Sequence, residues 1–530
     1  MFKKKFLIVL TLATLWSCAK RGSITGGEKD IYPPKVLKTY PDNFSTNFNS
    51  QEIVIQFDEF VRLKDASKQL IISPPLKNKP EITPYSASKQ IKIRLRDTLK
   101  PNTTYSLNFG QSIEDNNEAN KLQGYRYVFS TGSYIDSLSI KGSVKDALDK
   151  ETESFVSVML YEVNETFNDS IIYTENPRYI TNTLDSTTTF ALENIKEGKY
   201  LLIALKDKNN NNRFDPKHDK IGFHNQIISI PTDENYQLKM FKEIPDFKAI
   251  RAFEVTKNKI TFAYEGNPEN KKIELLNNNM SIETIITKVP EKDSLNIWYK
   301  PIEADSLELK VHYTLSEKSF IIKLKEKTSD SLSVTLKSSK RLGFRDKVVF
   351  SSLTPLVAFD STKTQLLNKD SLSVDFTTKY NIKNQNLEFF FNKEEKQKYY
   401  LTLFPGSVTD FFGETNDTIK TDFSTQSYSD FGNLKIILQN VKEFPIIVQL
   451  TDDKGNIQAE HYSEEETEIE FFNLNPNMYT IRIIYDSNKN KIWDTGNYLN
   501  KTQPETVIYF PDKIDVRANW DVEQIFLLKE

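Results

Sequence analysis

A loop that occurs twice restricts most strongly what this chain can fold into. Asp207, Asn209, Asn211 and Asp215 place oxygen-bearing side chains at matching intervals, with Asp219 just beyond, and Asp486, Asn488, Asn490 and Asp494 repeat the spacing near the C-terminus. Each copy follows a Tyr-led apolar run, Tyr200-Leu-Leu-Ile-Ala-Leu205 and Tyr479-Thr-Ile-Arg-Ile-Ile484. Short apolar runs bounded by turn residues read as buried strands. The same strand and loop at two distant places predict a duplicated β module.

The rest of the chain agrees with that class. Glu52-Ile-Val-Ile-Gln-Phe-Asp58, Ile91-Lys-Ile-Arg-Leu-Arg96, Tyr105-Ser-Leu-Asn-Phe109 and Leu307-Glu-Leu-Lys-Val-His-Tyr313 alternate apolar and polar residues, the period of a half-buried strand. Aromatic residues reach 12%, which suits pleated sheet. The expectation is an all-β chain of tandem antiparallel β-sandwich domains.

Three segments also carry a resemblance. Phe57-Asp-Glu-Phe-Val61, Leu99-Lys-Pro-Asn-Thr-Thr-Tyr105 and Phe129-Ser-Thr-Gly132 resemble the bacterial Ig-like domain of the SbsA type. With Gly26-Gly27 and Pro33-Pro34 ahead of them, they are similar to a group of Bacteroidota lipoproteins that begin with this domain. The resemblance implies fold and envelope location, and no catalytic residue. From Leu138, strands ordered around the Phe190–Tyr200 hairpin resemble the transthyretin-like or carboxypeptidase-regulatory-like sandwich.

Then the first half recurs. Tyr400 to Asp410 matches Tyr105 to Asp115, Phe423-Ser-Thr-Gln-Ser427 matches Phe129-Ser-Thr-Gly-Ser133, and Leu434 to Leu438 stands in the place of Leu138 to Gly142. The expected order is a signal sequence at 1–17, a flexible tether at 18–34, an Ig-like domain at 35–132 and a loop-bearing sandwich at 133–245. A β spacer at 246–340, a second Ig-like domain at 341–428 and a second loop-bearing sandwich at 429–530 complete it.

The N-terminus reads as a targeting segment. Met1-Phe-Lys-Lys-Lys5 is basic, and an apolar run from Phe6 to Trp16 is too short to span a bilayer. Leu15-Trp-Ser-Cys18 resembles a lipobox, which implies cleavage before Cys18 and acylation, with palmitate among the chains added. Cys18 is the one cysteine, so a lipidated chain has no thiol for a disulfide, a zinc site or a nucleophile. The expected location is the outer membrane, lipid-anchored, on its periplasmic or cell-surface face.

The loops offer hard oxygens of the kind Ca2+ takes, about six to eight of them. No cofactor is required, and Ca2+ is the ion these side chains suit. The loop departs from an EF-hand, with Asn212 at its sixth position and His218 at its twelfth. Asn and Asp are equally good turn formers without an ion. A cation here would stiffen a hairpin and do no chemistry.

Other function classes find little support. Seventy Lys and Arg against 73 Asp and Glu, evenly mixed, leave no basic block for nucleic acid. His218, His224, His312 and His461 are scattered, and no nucleophile elbow or phosphate loop is present. Asp58-Glu59 and Glu464-Glu465-Glu466 read as surface charge. Trp298, Tyr299, Phe411 and Phe412 suit either a sugar platform or a sandwich core. The sequence therefore points to a non-catalytic envelope lipoprotein. It would be a scaffold or accessory subunit of an outer-membrane complex of the barrel-assembly or secretion type, with outer-membrane proteins as partners. A surface adhesin or glycan-binding module is the alternative, and an envelope hydrolase with an unfamiliar site is the remote one.

Overall fold

Alternation along short segments becomes sheet almost everywhere in the computed structural model, which describes residues 29–183, 187–313 and 316–529. The expected signal sequence and Cys18 lie outside the described residues. No described helix is long and apolar enough to cross a membrane. The fold is all-β and mostly antiparallel, and its apolar faces gather into successive cores along the chain.

The first unit packs two sheets around Ile53, Ile55, Phe57, Ile93, Leu107 and Phe129. The second has a larger sheet ordered Tyr179–Asn182, Ser157–Glu162, Gly198–Lys206, Lys220–Phe223, with Ile228–Ile230 also on Gly198–Lys206. Facing it is a three-stranded sheet, Thr189–Ile195, Leu138–Asp146, Asn235–Met240, whose last pair is parallel. The fifth unit repeats that topology. Ile457–Ser463, Ile446–Thr451, Asn477–Tyr485 and Val507–Tyr509 form one sheet, with Ile514–Val516 added on Asn477–Tyr485. Glu468–Leu474, Gly432–Gln439 and Asp521–Leu527 form the other, again closed by a parallel pair. Tyr200 donates its hydroxyl to Lys196 O at 2.8 Å, and Tyr479 donates to Asn475 O at 2.6 Å, the same four-residue reach in both copies.

Two sequence readings need correction. The strand Val334–Leu336 pairs with Val348–Ser352, and Leu332, Val334 and Leu336 pack against the fourth core. The fourth unit therefore begins near Leu332, before the boundary read at 340. The second correction concerns the match of Tyr400 to Tyr105. Tyr105 pairs across its sheet with Phe129, and Tyr399, not Tyr400, pairs with Phe423. Tyr105 Oη accepts the Lys100 N–H at 2.9 Å, as Tyr399 Oη accepts that of Glu394 at 2.8 Å. Thr131 and Thr425 brace both turns alike. A slip of one residue turns a side chain to the opposite face, and Tyr400 is 43% exposed while Tyr399 is 2% exposed.

The units do not simply trail one another. The third meets the fourth through Trp298 against Phe412 (6.3 Å between centroids) and Lys300 over Phe411. The fourth meets the fifth through Phe344 against Phe431 and Arg345 over Phe471. Trp298, Tyr299 and Phe411 are buried, so the sugar-platform reading of these aromatics gives way to packing. Units two to five form a circuit that the fifth closes on the second, and the first unit rests on the second through Ile180 N–H to Ser73 Oγ at 3.1 Å.

The corrected register gives a paired test. Tyr399→Phe leaves the Glu394 amide without its acceptor and is expected to cost about 1 kcal/mol. Tyr400→Phe is expected to stay within about 0.5 kcal/mol of wild type. Chemical denaturation of both variants distinguishes the two frames.

Candidate functional site

Both loops follow the central strand of the larger sheet, and both use acidic side chains to hold backbone. Asp207 accepts the N–H groups of Asn209 (3.0 Å) and Asn212 (2.7 Å). Asp486 accepts those of Asn490 (3.1 Å) and Lys491 (2.9 Å). Asn210 and Asn212 take positive φ, and Lys489 and Lys491 do so at the same two steps of the second copy. Asn tolerates that region and Lys does not favour it, so the geometry is common to both while the sequence suits only the first.

A clamp completes each loop. Fully buried Asp219 accepts the N–H of Lys208 at 2.9 Å and of Asp215 at 2.8 Å. In the second copy Glu505 does the same for Ser487 (2.7 Å) and Asp494 (3.0 Å). Glu505 is therefore the counterpart of Asp219, which the sequence reading missed. Four positions separate Asp215 from Asp219, whereas eleven separate Asp494 from Glu505. Burial pushes the Glu505 and Asp207 carboxyls up, against the pull of these N–H donors. The hydrogen bond to His218 holds Asp215 below the usual carboxylate range.

Other oxygens of the loops are also engaged. Asn211 Oδ1 accepts the Arg213 N–H, and Asn490 Oδ1 that of Ile492. Asn488 and Asn490 donate amide protons to one Asp494 oxygen, each at 2.6 Å. Among the described residues no group of three or more His, Cys, Asp or Glu side chains is placed to hold a metal ion. As arranged, the loops are closed by their own hydrogen bonds.

The difference between the copies is where the two modules meet. The longer segment between Asp494 and Glu505 leaves the fifth unit and docks on the second. Tyr498 is fully buried there, within the core cluster of Ile203, Ile221, Phe223 and Phe241. Its ring stands edge-on to Phe223 at 5.4 Å, and its hydroxyl donates to Asp169 O at 3.1 Å. Its N–H donates to the buried Glu243 carboxylate. Lys501 binds Asp169 and lies over the Tyr498 ring at 4.0 Å. Gln503 donates to Phe223 O (3.0 Å) and Asn225 Oδ1 (2.8 Å), and Thr495 to Lys242 O (2.7 Å). Gly496 is required by space, since a Cβ would lie 2.7 Å from both Phe241 Cζ and Thr502 O. A second patch joins Lys150 Nζ to Pro511 O at 2.6 Å and Tyr509 to Leu148 O. Burial, then the neighbouring Asp169, pushes the Tyr498 hydroxyl well above its ordinary range.

These contacts define three measurements. Tyr498→Ala empties a fully packed site and should cost about 3 kcal/mol or more of stability, together with an increase in radius of gyration. Burial raises the Glu243 carboxyl above 4.5, so its contribution is complete below that value and lost as pH rises through the raised one. The melting temperature of wild type relative to Glu243→Gln should therefore fall as pH rises above 4.5. A constant difference would remove Glu243 from the interface energetics. Adding Ca2+ or a chelator should leave melting unchanged, and a rise with Ca2+ that Asp207→Ala abolishes would contradict self-closed loops.

Comparison with known proteins places two stretches in families. Residues 30–131 match a bacterial Ig-like domain, and residues 148–262 match a family described as an uncharacterized protein conserved in bacteria (DUF2141). No curated protein matches the chain. Among solved structures, domains 1–6 of the surface layer protein SbsC align with 91% of this chain and 67% of their own, at 12% identity and a TM-score of 0.15. A Bacteroides ovatus glucan-utilization protein, SGBP-B, solved with a mixed-linkage heptasaccharide, aligns with 72% of this chain and 91% of its own, at 11% identity and a TM-score of 0.19. Titin domains A168–A170 align with 45% of this chain and 91% of their own, at 11% identity and a TM-score of 0.15. At such scores neither arrangement nor function carries across.

Proposed function

We propose that the chain is a non-catalytic scaffold of the bacterial cell envelope, tethered to the outer membrane through lipid on Cys18 and docked on an outer-membrane protein complex. The observation that carries the scaffold reading is the insertion of Tyr498 into the second unit. That contact ties sandwiches far apart in sequence into one closed body, and a body so braced suits the holding of partners at fixed spacing. A catalytic or transport cycle that needed these units to part would have to break a buried aromatic contact each time. The Ig-like match supports a surface or envelope setting. The lipid anchor rests on Leu15-Trp-Ser-Cys18 alone. An adhesin built on Trp298, Tyr299 or Phe411 loses its support with the burial of those rings.

The test is a mild-detergent pull-down of the tagged full-length protein from its native membranes, read by mass spectrometry. The expected result is an outer-membrane protein in stoichiometric amount, with membrane retention lost in Cys18→Ala. Recovery of the chain alone would overturn the complex, and retention unchanged in Cys18→Ala would overturn the anchor.

A further inference from the structure

Between the first and second units lies a cleft of about 650 Å³, which Asp207, Asn210 and Asn212 of the second unit's loop also line. Small-molecule sites commonly measure roughly 300–1,000 Å³ and favour domain junctions. The first unit contributes Leu70, Ile72, Leu76 and Ile82, and the second contributes Phe155 and Ile180. These are aliphatic walls with two aromatic rings, Phe155 and the exposed Tyr85, and polar side chains such as Ser157 and Asn182 stand among them.

The charges around the cleft are unequal once their partners are counted. Glu81 is held by Arg96 at 2.8 Å. Asp207 spends its oxygens on the loop backbone, and Lys206 donates to Ser154 O. Lys68 and Lys79 also line the cleft, are exposed, and make no ion pair among the described residues. The uncompensated charge is therefore positive, beside walls of hydrocarbon. An anionic head on an alkyl tail matches both features, because the tail leaves water and the head meets two free ammonium groups.

We propose that this cleft binds a single-chain amphiphile with an anionic head, of the fatty-acid class. The proposal stands apart from the scaffold reading and does not depend on any protein partner.

The experiment is calorimetric titration of the full-length protein with dodecanoate below its micellar range. Dodecyltrimethylammonium, acetate and a soluble glucan hexasaccharide serve as comparators. Saturable binding of dodecanoate is expected, weakened at least roughly tenfold when the head is cationic and in Lys68→Glu/Lys79→Glu. Acetate should not bind, since the apolar body is missing. Ser67→Trp, at an exposed position of the lining, should abolish binding while melting stays native. If that variant does not fold, the lysine pair decides by itself. No saturable dodecanoate binding, affinity indifferent to head charge, unchanged affinity in a folded Ser67→Trp, or binding of the hexasaccharide in its place would each overturn the proposal.

Discussion

Closure of the chain depends on one buried tyrosine. Tyr498 crosses from the fifth unit into the core of the second, where its ring meets Phe223 and its hydroxyl meets Asp169. Aromatic burial of this kind supplies most of an interface's energy. The polar contacts around it, through Glu243, Lys501 and Gln503, set its orientation and keep buried groups paired. Without the contacts gathered around it and the second patch at Leu148 and Lys150, the five units would be joined only to their neighbours in sequence. With them, units two to five share one continuous framework.

The anchor lies where two modules of one topology differ. Both loop-bearing modules use the same strand order, the same Tyr-to-carbonyl brace and the same acid-held loop. They differ in how far the chain travels between the loop and its clamp. Asp219 returns quickly in the second unit, whereas the segment before Glu505 is long enough to reach another module and carries Gly496 and Tyr498 for the purpose. The interface thus pairs the two copies of one fold, through a feature that only one of them has. Such an arrangement lets the second copy specialise in docking while its loop retains the inherited geometry, Lys489 and Lys491 included.

Much of this was legible in the residues. Alternation and turn signals sufficed for the β class, because period-two patterning is local. The duplicated loop was visible because its Asp and Asn spacing survived. Glu505 was hidden because spacing is what a sequence comparison sees, and the clamp had moved along the chain while keeping its bonds. The slip between Tyr399 and Tyr400 has a similar cause, since two adjacent tyrosines look alike until the sheet assigns one of them inward. The burial of Trp298 and Phe411 depends on a contact between units, and no local pattern encodes that. Tyr498 stands in the short stretch Asn497-Tyr-Leu-Asn500, which has no strand-like alternation to mark it, and its partners stand more than two hundred residues away.

The central claim is that the fifth unit closes on the second within a single chain. Carbodiimide cross-linking of the full-length protein tests it directly, because Lys501 and Asp169 form an ion pair. Peptide mapping of the monomeric fraction should recover a link between Lys501 and Asp169, and Tyr498→Ala should reduce it. Absence of that link from the monomer, with Lys501 and Asp169 both accessible and unmodified, would contradict the closed arrangement.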